Sequence, residues 1–66
     1  MNLTVNGEHR SFGALASLSE LVAALGLDAR KVAVERNLEI VPRSAYGETP
    51  LADGDRIEIV HFIGGG

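Results

Sequence analysis

The chain begins with the apolar and polar alternation that is typical of a half-buried β-strand. Residues 2–5 read NLTV, with the apolar side chains two residues apart. Asn6 and Gly7 follow, and because both residue types tolerate a positive φ, this pair predicts a tight hairpin turn. We therefore expect two antiparallel strands, the second over residues 8–12.

The next apolar positions have the spacing of one helix face. They are Leu18, Leu21, Val22 and Leu25. Ser17 and Glu20 have the spacing of a capping box, in which each side chain bonds main-chain NH groups at the helix start. Gly26 is placed to end the helix in the left-handed conformation. The pattern predicts a helix over residues 18–25.

The middle of the chain predicts a second hairpin. Residues 32–35 read as a strand, Arg36-Asn37 as a turn, and a short strand ends near Val41. Pro42 cannot donate to a β-ladder, so it marks an edge or an exit from the sheet. The loop that follows has room for one helical turn.

The last strand follows a second tight-turn signal at Asp53-Gly54. Alternation divides its side chains between two faces. One face carries Ile57, Ile59, His61 and Ile63, and the other carries Arg56, Glu58, Val60 and Phe62. Asp53 and Asp55, on either side of Gly54, are expected to shape the turn.

The order of these elements is strand, strand, helix, strand, short strand, strand. One helix packed across one face of a mixed sheet of four or five strands is the economical arrangement for this order. This is the α+β architecture of the β-grasp, or ubiquitin-like, fold. It places the last strand inside the sheet and leaves the second sheet face partly open. We expect a single β-grasp domain over residues 1–63 and a flexible glycine tail over residues 64–66.

The composition argues against several classes of function. The 66 residues contain no cysteine, so there is neither a disulfide nor a thiolate metal site, and a carrier of sulfur would need another group. The net charge is −3 and the six basic residues are scattered, which argues against nucleic acid as a partner. No apolar run reaches the roughly 20 residues of a membrane span. A cytoplasmic protein is the expectation.

The sequence ends in three consecutive glycines, Gly64, Gly65 and Gly66. Extended, three residues reach roughly 10 Å, and without side chains they fit a narrow active site that excludes a Cβ. The reactive group is the α-carboxylate of Gly66. Attack on the α-phosphate of ATP would turn it into an acyl adenylate, from which a sulfur nucleophile could form a thiocarboxylate. The alternative is a frayed terminus without chemistry.

Two apolar residues next to this tail are candidates for partner docking. Val60 and Phe62 share the strand face that Glu58 marks as solvent-exposed, and an outward Phe beside a reactive terminus can serve as an anchor. For Phe62 the alternative is packing against a neighbouring strand or loop.

The whole chain resembles the sulfur carrier proteins of thiamine biosynthesis, the ThiS family. The stretches that carry the resemblance are MNLTVNGE, SLSELVAALGL, VAVERNLEIVPRSAY and LADGDRIEIVHFIGGG. The resemblance implies that an E1-like adenylyltransferase uses ATP to activate the carboxylate of Gly66. Sulfur from a cysteine desulfurase then replaces AMP, and the thiocarboxylate donates sulfur to thiazole synthase. The protein itself is then a substrate of enzymes, with no bound cofactor.

The tail departs from the family pattern in one residue. The common ending of the family is an apolar residue followed by two glycines. The two glycines match Gly65 and Gly66, and Gly64 is a third glycine before them. The reacting carboxylate is still at the last residue, but the extra glycine leaves two possible registers for the docking contacts, one residue apart. Val60, Phe62 and Ile63 carry over as apolar positions before the tail.

Three other functions remain open for this sequence. Similar endings occur in the small subunits of molybdopterin synthases, so a carrier of that type is one alternative. A non-reactive ubiquitin-like interaction module is another, and conjugation to lysines is a third.

His9 and His61 lie in no recognisable metal-ligand spacing, so a metal site is not expected. For Arg36 and Arg43, contact with an acidic patch on a partner is one interpretation, but exposed basic residues usually have no such specific role.

Overall fold

The structure is a computed structural model that describes residues 1–62. These residues contain five β-strands, one α-helix and two 3₁₀ helices. The strands are β1 (Asn2–Val5), β2 (Glu8–Ser11), β3 (Val32–Arg36), β4 (Glu39–Val41) and β5 (Arg56–His61), and the α-helix is α1 (Leu18–Ala24). The 3₁₀ helices are Ala29–Lys31 and Arg43–Glu48. The proposed domain boundary after Ile63 and the glycine tail lie outside the described residues.

The strands form one mixed sheet in the order β2-β1-β5-β3-β4. β5 is parallel to β1 and antiparallel to β3, whereas the two hairpins are antiparallel. The last strand of the chain therefore lies in the middle of the sheet, between its first and third strands. This mixed sheet with one helix across one face confirms the predicted β-grasp fold.

Both hairpins close with two residues in the left-handed region, as in a type I′ turn. Asn6 and Gly7 have φ values of 50° and 82°, which confirms the first predicted turn. In the second hairpin the turn residues are Asn37 and Leu38, with φ values of 52° and 72°. The predicted turn at Arg36-Asn37 was therefore one residue too early. Arg36 instead extends β3 and pairs with Glu39.

The helix has the predicted terminus at Gly26 but does not begin with the predicted capping box. Ser17 forms no side-chain cap, and Glu20 accepts a hydrogen bond from the main-chain N of Ala16 rather than from Ser17. The main-chain N of Leu18 instead donates to Thr49 across the fold, at 2.9 Å. Tertiary pairing thus replaces part of the local cap.

At the other end of α1 the chain closes in a Schellman motif. Gly26 has a φ of 73° and its N donates to Ala23, while Leu27 N donates to Val22. The helix stops at Ala24, one residue before the predicted end, and the predicted strand over residues 8–12 stops at Ser11.

The core lies between α1 and one face of the sheet. Its fully or nearly fully buried members are Leu3, Val5, Leu18, Leu21, Val22, Val32, Val34, Tyr46, Ile57 and Ile59. Tyr46 enters from the second 3₁₀ helix, and its hydroxyl donates to the main-chain O of Val32 at 3.2 Å. The opposite sheet face has no helix across it in the described part of the chain. The side chains that precede the C-terminal segment on this face are therefore open to partners.

Candidate functional site

The candidate site is the end of β5 and the sheet face around it. Val60 and Phe62 are 61% and 46% exposed, as expected for residues on the face away from the helix. Pairing continues one residue beyond the strand, because Phe62 N donates to Lys31 O at 2.8 Å. Main-chain hydrogen bonding to the sheet thus extends to Phe62, which is four residues before Gly66. Ile63, Gly64, Gly65 and Gly66 lie outside the described residues, so their predicted roles stay predictions.

The open face near Val60 combines apolar residues with two opposed carboxylates. Ala33 of β3 lies opposite Val60, and Glu35 lies opposite Glu58. Ile40 of β4 lies on the other side of Glu35 and is 79% exposed. Together with Val34, these five residues line a recess of about 120 Å³, which we call the Ala33 recess.

The position of β5 is fixed by a side chain from the first hairpin. β1 ends at Val5, but Asn6 continues the pairing with its carboxamide: its Oδ1 accepts from Ile59 N at 2.7 Å and its Nδ2 donates to Ile59 O at 3.2 Å. The main-chain N of Asn6 also donates to Ile57 O at 2.9 Å. One residue therefore both turns the hairpin and pairs with the strand that leads to the tail.

A buried carboxylate organises the beginning of β5. Asp55 accepts hydrogen bonds from Arg36 Nε at 2.8 Å, Asn37 Nδ2 at 3.0 Å and Ala52 N at 2.8 Å. Burial by itself raises the pKa of Asp55, but the bonds from Asn37, Ala52 and Arg36 outweigh it, so the net pKa is lowered. Arg36 is thus paired within the fold, a role that the sequence analysis did not predict.

Asp53 holds the same turn to the first strand. Its Oδ1 accepts from Asn2 N at 2.5 Å, and Gly54 N donates to Asn2 O at 2.7 Å. The expectation that Asp53 and Asp55 shape this turn is confirmed, and the structure adds that each carboxylate connects it to a different strand or hairpin.

The histidines do not meet each other or a carboxylate cluster. His9 lies beside Thr4, with Nδ1 3.3 Å from the hydroxyl oxygen. His61 is exposed at the rim of a groove between the sheet and the end of α1, near Arg10 and Leu25. Over residues 1–62 no three His, Asp or Glu side chains are grouped as metal ligands, and no helix in that range is long and apolar enough to cross a membrane.

Sequence reasoning missed four residues that shape this site. The sequence predicts only the turn at Asn6. The second role of Asn6, pairing with Ile59, was missed because that partner lies 53 residues later. Glu58 was read as a solvated strand position, and the register that sets it opposite Glu35 was not predicted. Alternation would have placed Glu35 and Ala33 on one face, but it does not tell which strand lies beside them.

The arrangement defines a ubiquitin-like β-grasp domain whose central strand leads to a terminal glycine run. The sequence matches the ThiS family over residues 3–66. The chain belongs to this family.

Individual relatives agree with this assignment. The chain is 48% identical over 50 residues, 76% of either chain, to the sulfur carrier protein ThiS of Bacillus subtilis. It is 58% identical over all 66 residues to a thiazole synthase of Paramagnetospirillum magneticum, of whose length it spans only 20%. A crystal structure of the thiamine biosynthesis protein ThiS from Geobacter metallireducens superposes with a TM-score of 0.84, at 40% identity and full coverage of both chains.

Proposed function

We propose that this protein is a sulfur carrier for thiazole formation in thiamine biosynthesis. The observation that carries the proposal is the family match, which extends through the glycines to Gly66. Relatives named as a sulfur carrier and as thiazole synthases point to the same pathway. The chain contributes a carboxylate and a docking surface, and partner enzymes perform the chemistry.

The reacting group is the α-carboxylate of Gly66, and the proposal therefore requires that the mature chain ends at this residue. An oxygen of this carboxylate attacks the α-phosphate of ATP in an E1-like adenylyltransferase, and pyrophosphate leaves. The terminal sulfur of a persulfide, formed from cysteine by a cysteine desulfurase, then attacks the acyl carbon and displaces AMP, and a thiol such as free cysteine reduces the resulting acyl disulfide. The product is a thiocarboxylate, which donates its sulfur to thiazole synthase. ATP belongs to the activating enzyme, and the carrier binds no cofactor of its own.

The position of β5 supports this role. The strand is paired on both sides, and the main chain is still bonded to β3 at Phe62. The four residues 63–66 can reach at most roughly 14 Å from that point when fully extended. A terminus that begins at a firmly held strand delivers its carboxylate to a limited region of a partner, which favours productive encounters once the domain has docked.

The proposed partners follow from the same chemistry. Thiazole synthase is the sulfur acceptor, since a segment similar to this chain occurs within larger proteins of that name. Val60, Phe62 and Ile63 form the apolar docking positions next to the tail, with Gly64 and Gly65 as the slender arm. Neither nucleic acid nor membrane is involved, and we place the protein in the cytoplasm.

The test is the intact mass of the protein after reaction. The purified chain is incubated with the E1-like adenylyltransferase of the same genome, ATP, a cysteine desulfurase and cysteine, and is expected to gain the mass of one oxygen-to-sulfur exchange. Deletion of Gly66 should abolish the gain, whereas Glu8→Gln, on the exposed edge strand, should leave it intact. An unchanged mass for the wild-type chain would reject the proposal in favour of a non-reactive interaction module.

The acceptor is tested separately with the thiocarboxylated protein. Sulfur should pass to thiazole synthase, with return of the carrier to its original mass. If sulfur passes only to the large subunit of a molybdopterin synthase, the carrier serves molybdopterin synthesis and the proposal of thiazole formation is rejected. Stable adducts to lysines in cells would instead indicate conjugation.

A further inference from the structure

The Ala33 recess has a chemical character that an ordinary apolar docking patch lacks. Its apolar lining consists of Ala33, Val34, Ile40 and Val60. Two carboxylates, Glu35 and Glu58, stand directly opposite each other on neighbouring strands at its rim. An apolar recess and a pair of like charges therefore share one small area of the open sheet face.

The two glutamates lack a cationic partner within the described residues. Over residues 1–62 the ion pairs within 4.0 Å are Asp28–Arg30 and Arg36–Asp55. Arg56 lies on the same face as Glu58, two residues earlier in β5, but pairs with neither glutamate. Like charges directly opposite each other in a sheet are destabilising, so this pair weakens the isolated fold.

The chemistry of the recess restricts what can fill it. A purely apolar side chain would remove water from two carboxylates and leave them without a partner, which is costly. A purely polar group would leave Ile40 and Val60 exposed. An arginine satisfies both requirements, because its aliphatic stem covers apolar surface and its planar guanidinium has five donors that can bridge two carboxylates.

We propose that the Ala33 recess is the seat for one arginine side chain of a partner protein, held between Glu35 and Glu58 over Ala33. This deepens the proposed function and rests on it for the identity of the partner, which is the adenylyltransferase or thiazole synthase. The recess adjoins Val60, so the arginine sets the register of docking next to the residues that lead to Gly66. The pair of glutamates makes docking selective for a basic partner surface.

The experiment measures the affinity of the purified chain for each of the two enzymes by calorimetry, without ATP. The double variant Glu35→Gln/Glu58→Gln keeps the shape of the recess and removes its charge. We expect its affinity for at least one enzyme to fall roughly tenfold or more, since hydrogen bonds to charged groups are among the stronger ones. The wild-type affinity should also fall more steeply with added salt than that of the variant.

A matched control changes the net charge by the same amount elsewhere. Glu8 and Glu39 are both exposed. They pair with Val5 and Arg36, which belong to the set of strand positions that faces the core, so the two glutamates are not on the face that carries the Ala33 recess. Glu8→Gln/Glu39→Gln should therefore bind within about twofold of the wild type. Ala33→Leu fills the recess without charge change and should weaken binding of the same enzyme about as much as the glutamine pair.

Several outcomes would overturn the inference. Affinities for both enzymes that are unaffected by the glutamine pair would exclude a cationic occupant, and tighter binding would indicate an apolar one. A wild-type dimer in sedimentation that the glutamine pair dissociates would assign the recess to a second copy of this chain. Because binding is measured without ATP, these results are independent of whether Gly66 gains sulfur.

Discussion

The carboxamide of Asn6 pairs with the main chain of Ile59 through two hydrogen bonds, of 2.7 and 3.2 Å. It thereby occupies the place of a strand residue after β1 has ended, and holds β5 close to the point from which the C-terminal segment leaves. Asn6, whose residue type suits the turn, thus also holds the strand that precedes the C-terminal residues.

Replacement of Asn6 with glycine tests this pairing. Asn6→Gly keeps the positive φ of the turn but removes both bonds, so the free energy of unfolding should fall by about 1–2 kcal/mol. Urea denaturation provides the measurement. Ser11→Ala, which removes one exposed bond to Asn2, is the control and should change stability by less than about 0.5 kcal/mol. Equal stability of Asn6→Gly and the wild type would show that the Ile59 contact contributes nothing.

Asp55 should make stability dependent on acid pH. Its pKa is lowered in the folded state, so its stabilising contribution is complete above its unfolded pKa, near 3.9, and is lost as the pH falls through the folded pKa. Asp55→Asn should lower the unfolding free energy at neutral pH by about 1–3 kcal/mol, because the charge-assisted bonds to Arg36, Asn37 and Ala52 are lost. The variant should also lose less stability on acidification, as measured by urea titrations from neutral pH downward.

The pair of Asp28 and Arg30 provides the contrast for that experiment. The hydrogen bond with Arg30 lowers the pKa of Asp28 to about 2, yet the pair lies in solvent. Asp28→Asn should therefore change stability little at neutral pH. A loss as large as that of Asp55→Asn would contradict the view that burial makes the difference.

The hydroxyl of Tyr46 connects the second 3₁₀ helix to β3 inside the core. Tyr46→Phe removes the donor to Val32 O with little change in shape, and should lower the unfolding free energy by about 1 kcal/mol. Thermal unfolding followed by circular dichroism would measure this. A melting temperature equal to that of the wild type would show that water or another donor replaces the hydroxyl.

Leu38 is the residue whose backbone conformation fits its type least well. It has a φ of 72° and is 82% exposed, so its side chain gains little from packing. Leu38→Gly should raise the unfolding free energy by about 0.5–1 kcal/mol by relief of the left-handed conformation. Leu38→Ala also removes the exposed side chain but keeps the unfavourable φ, so it should show no comparable gain in urea denaturation.

Val60 should affect partner binding without an effect on the fold. It is 61% exposed, so Val60→Ser should leave the melting temperature nearly unchanged, while the affinity for the adenylyltransferase or thiazole synthase falls severalfold through lost apolar contact. Thr4→Ser is the control, because it shortens a β-branched residue of the neighbouring β1. Loss of binding by both variants, or by neither, would argue against docking at Val60.

Much of the fold was predictable from local patterns. The Asn6-Gly7 turn, the apolar stripe of α1 and the Gly26 terminus each depend on residues close together in sequence, and the structure confirms them. The prediction of a capping box at Ser17 was wrong because Glu20 N donates to the main-chain O of Ser17 and the Glu20 carboxylate accepts from Ala16 N, so neither bond of the box forms. The turn at Asn37 was placed one residue early because Leu38 does not belong to the residue types that usually adopt a positive φ.

The candidate site was predictable only in part. Alternation along β5 correctly placed Val60 on the exposed face. The resemblance to the ThiS family implies Gly66 as the reacting residue, and this stays a prediction. The pairing of Arg36 was not predicted, because an isolated arginine gives no sign that a buried carboxylate 19 residues later will bind it. The opposition of Glu35 and Glu58 required the register between β3 and β5.

The sequence by itself determined the elements, the one-sided helix and the terminal glycines, because each follows from periodicity or from the conformational freedom of single residues. Only the tertiary structure decided which distant groups meet: Asn6 with Ile59, Asp55 with Arg36, and Glu35 with Glu58 beside Ala33. These pairings depend on strand register and on contacts across 19 to 53 residues of chain, for which local propensity contains no information.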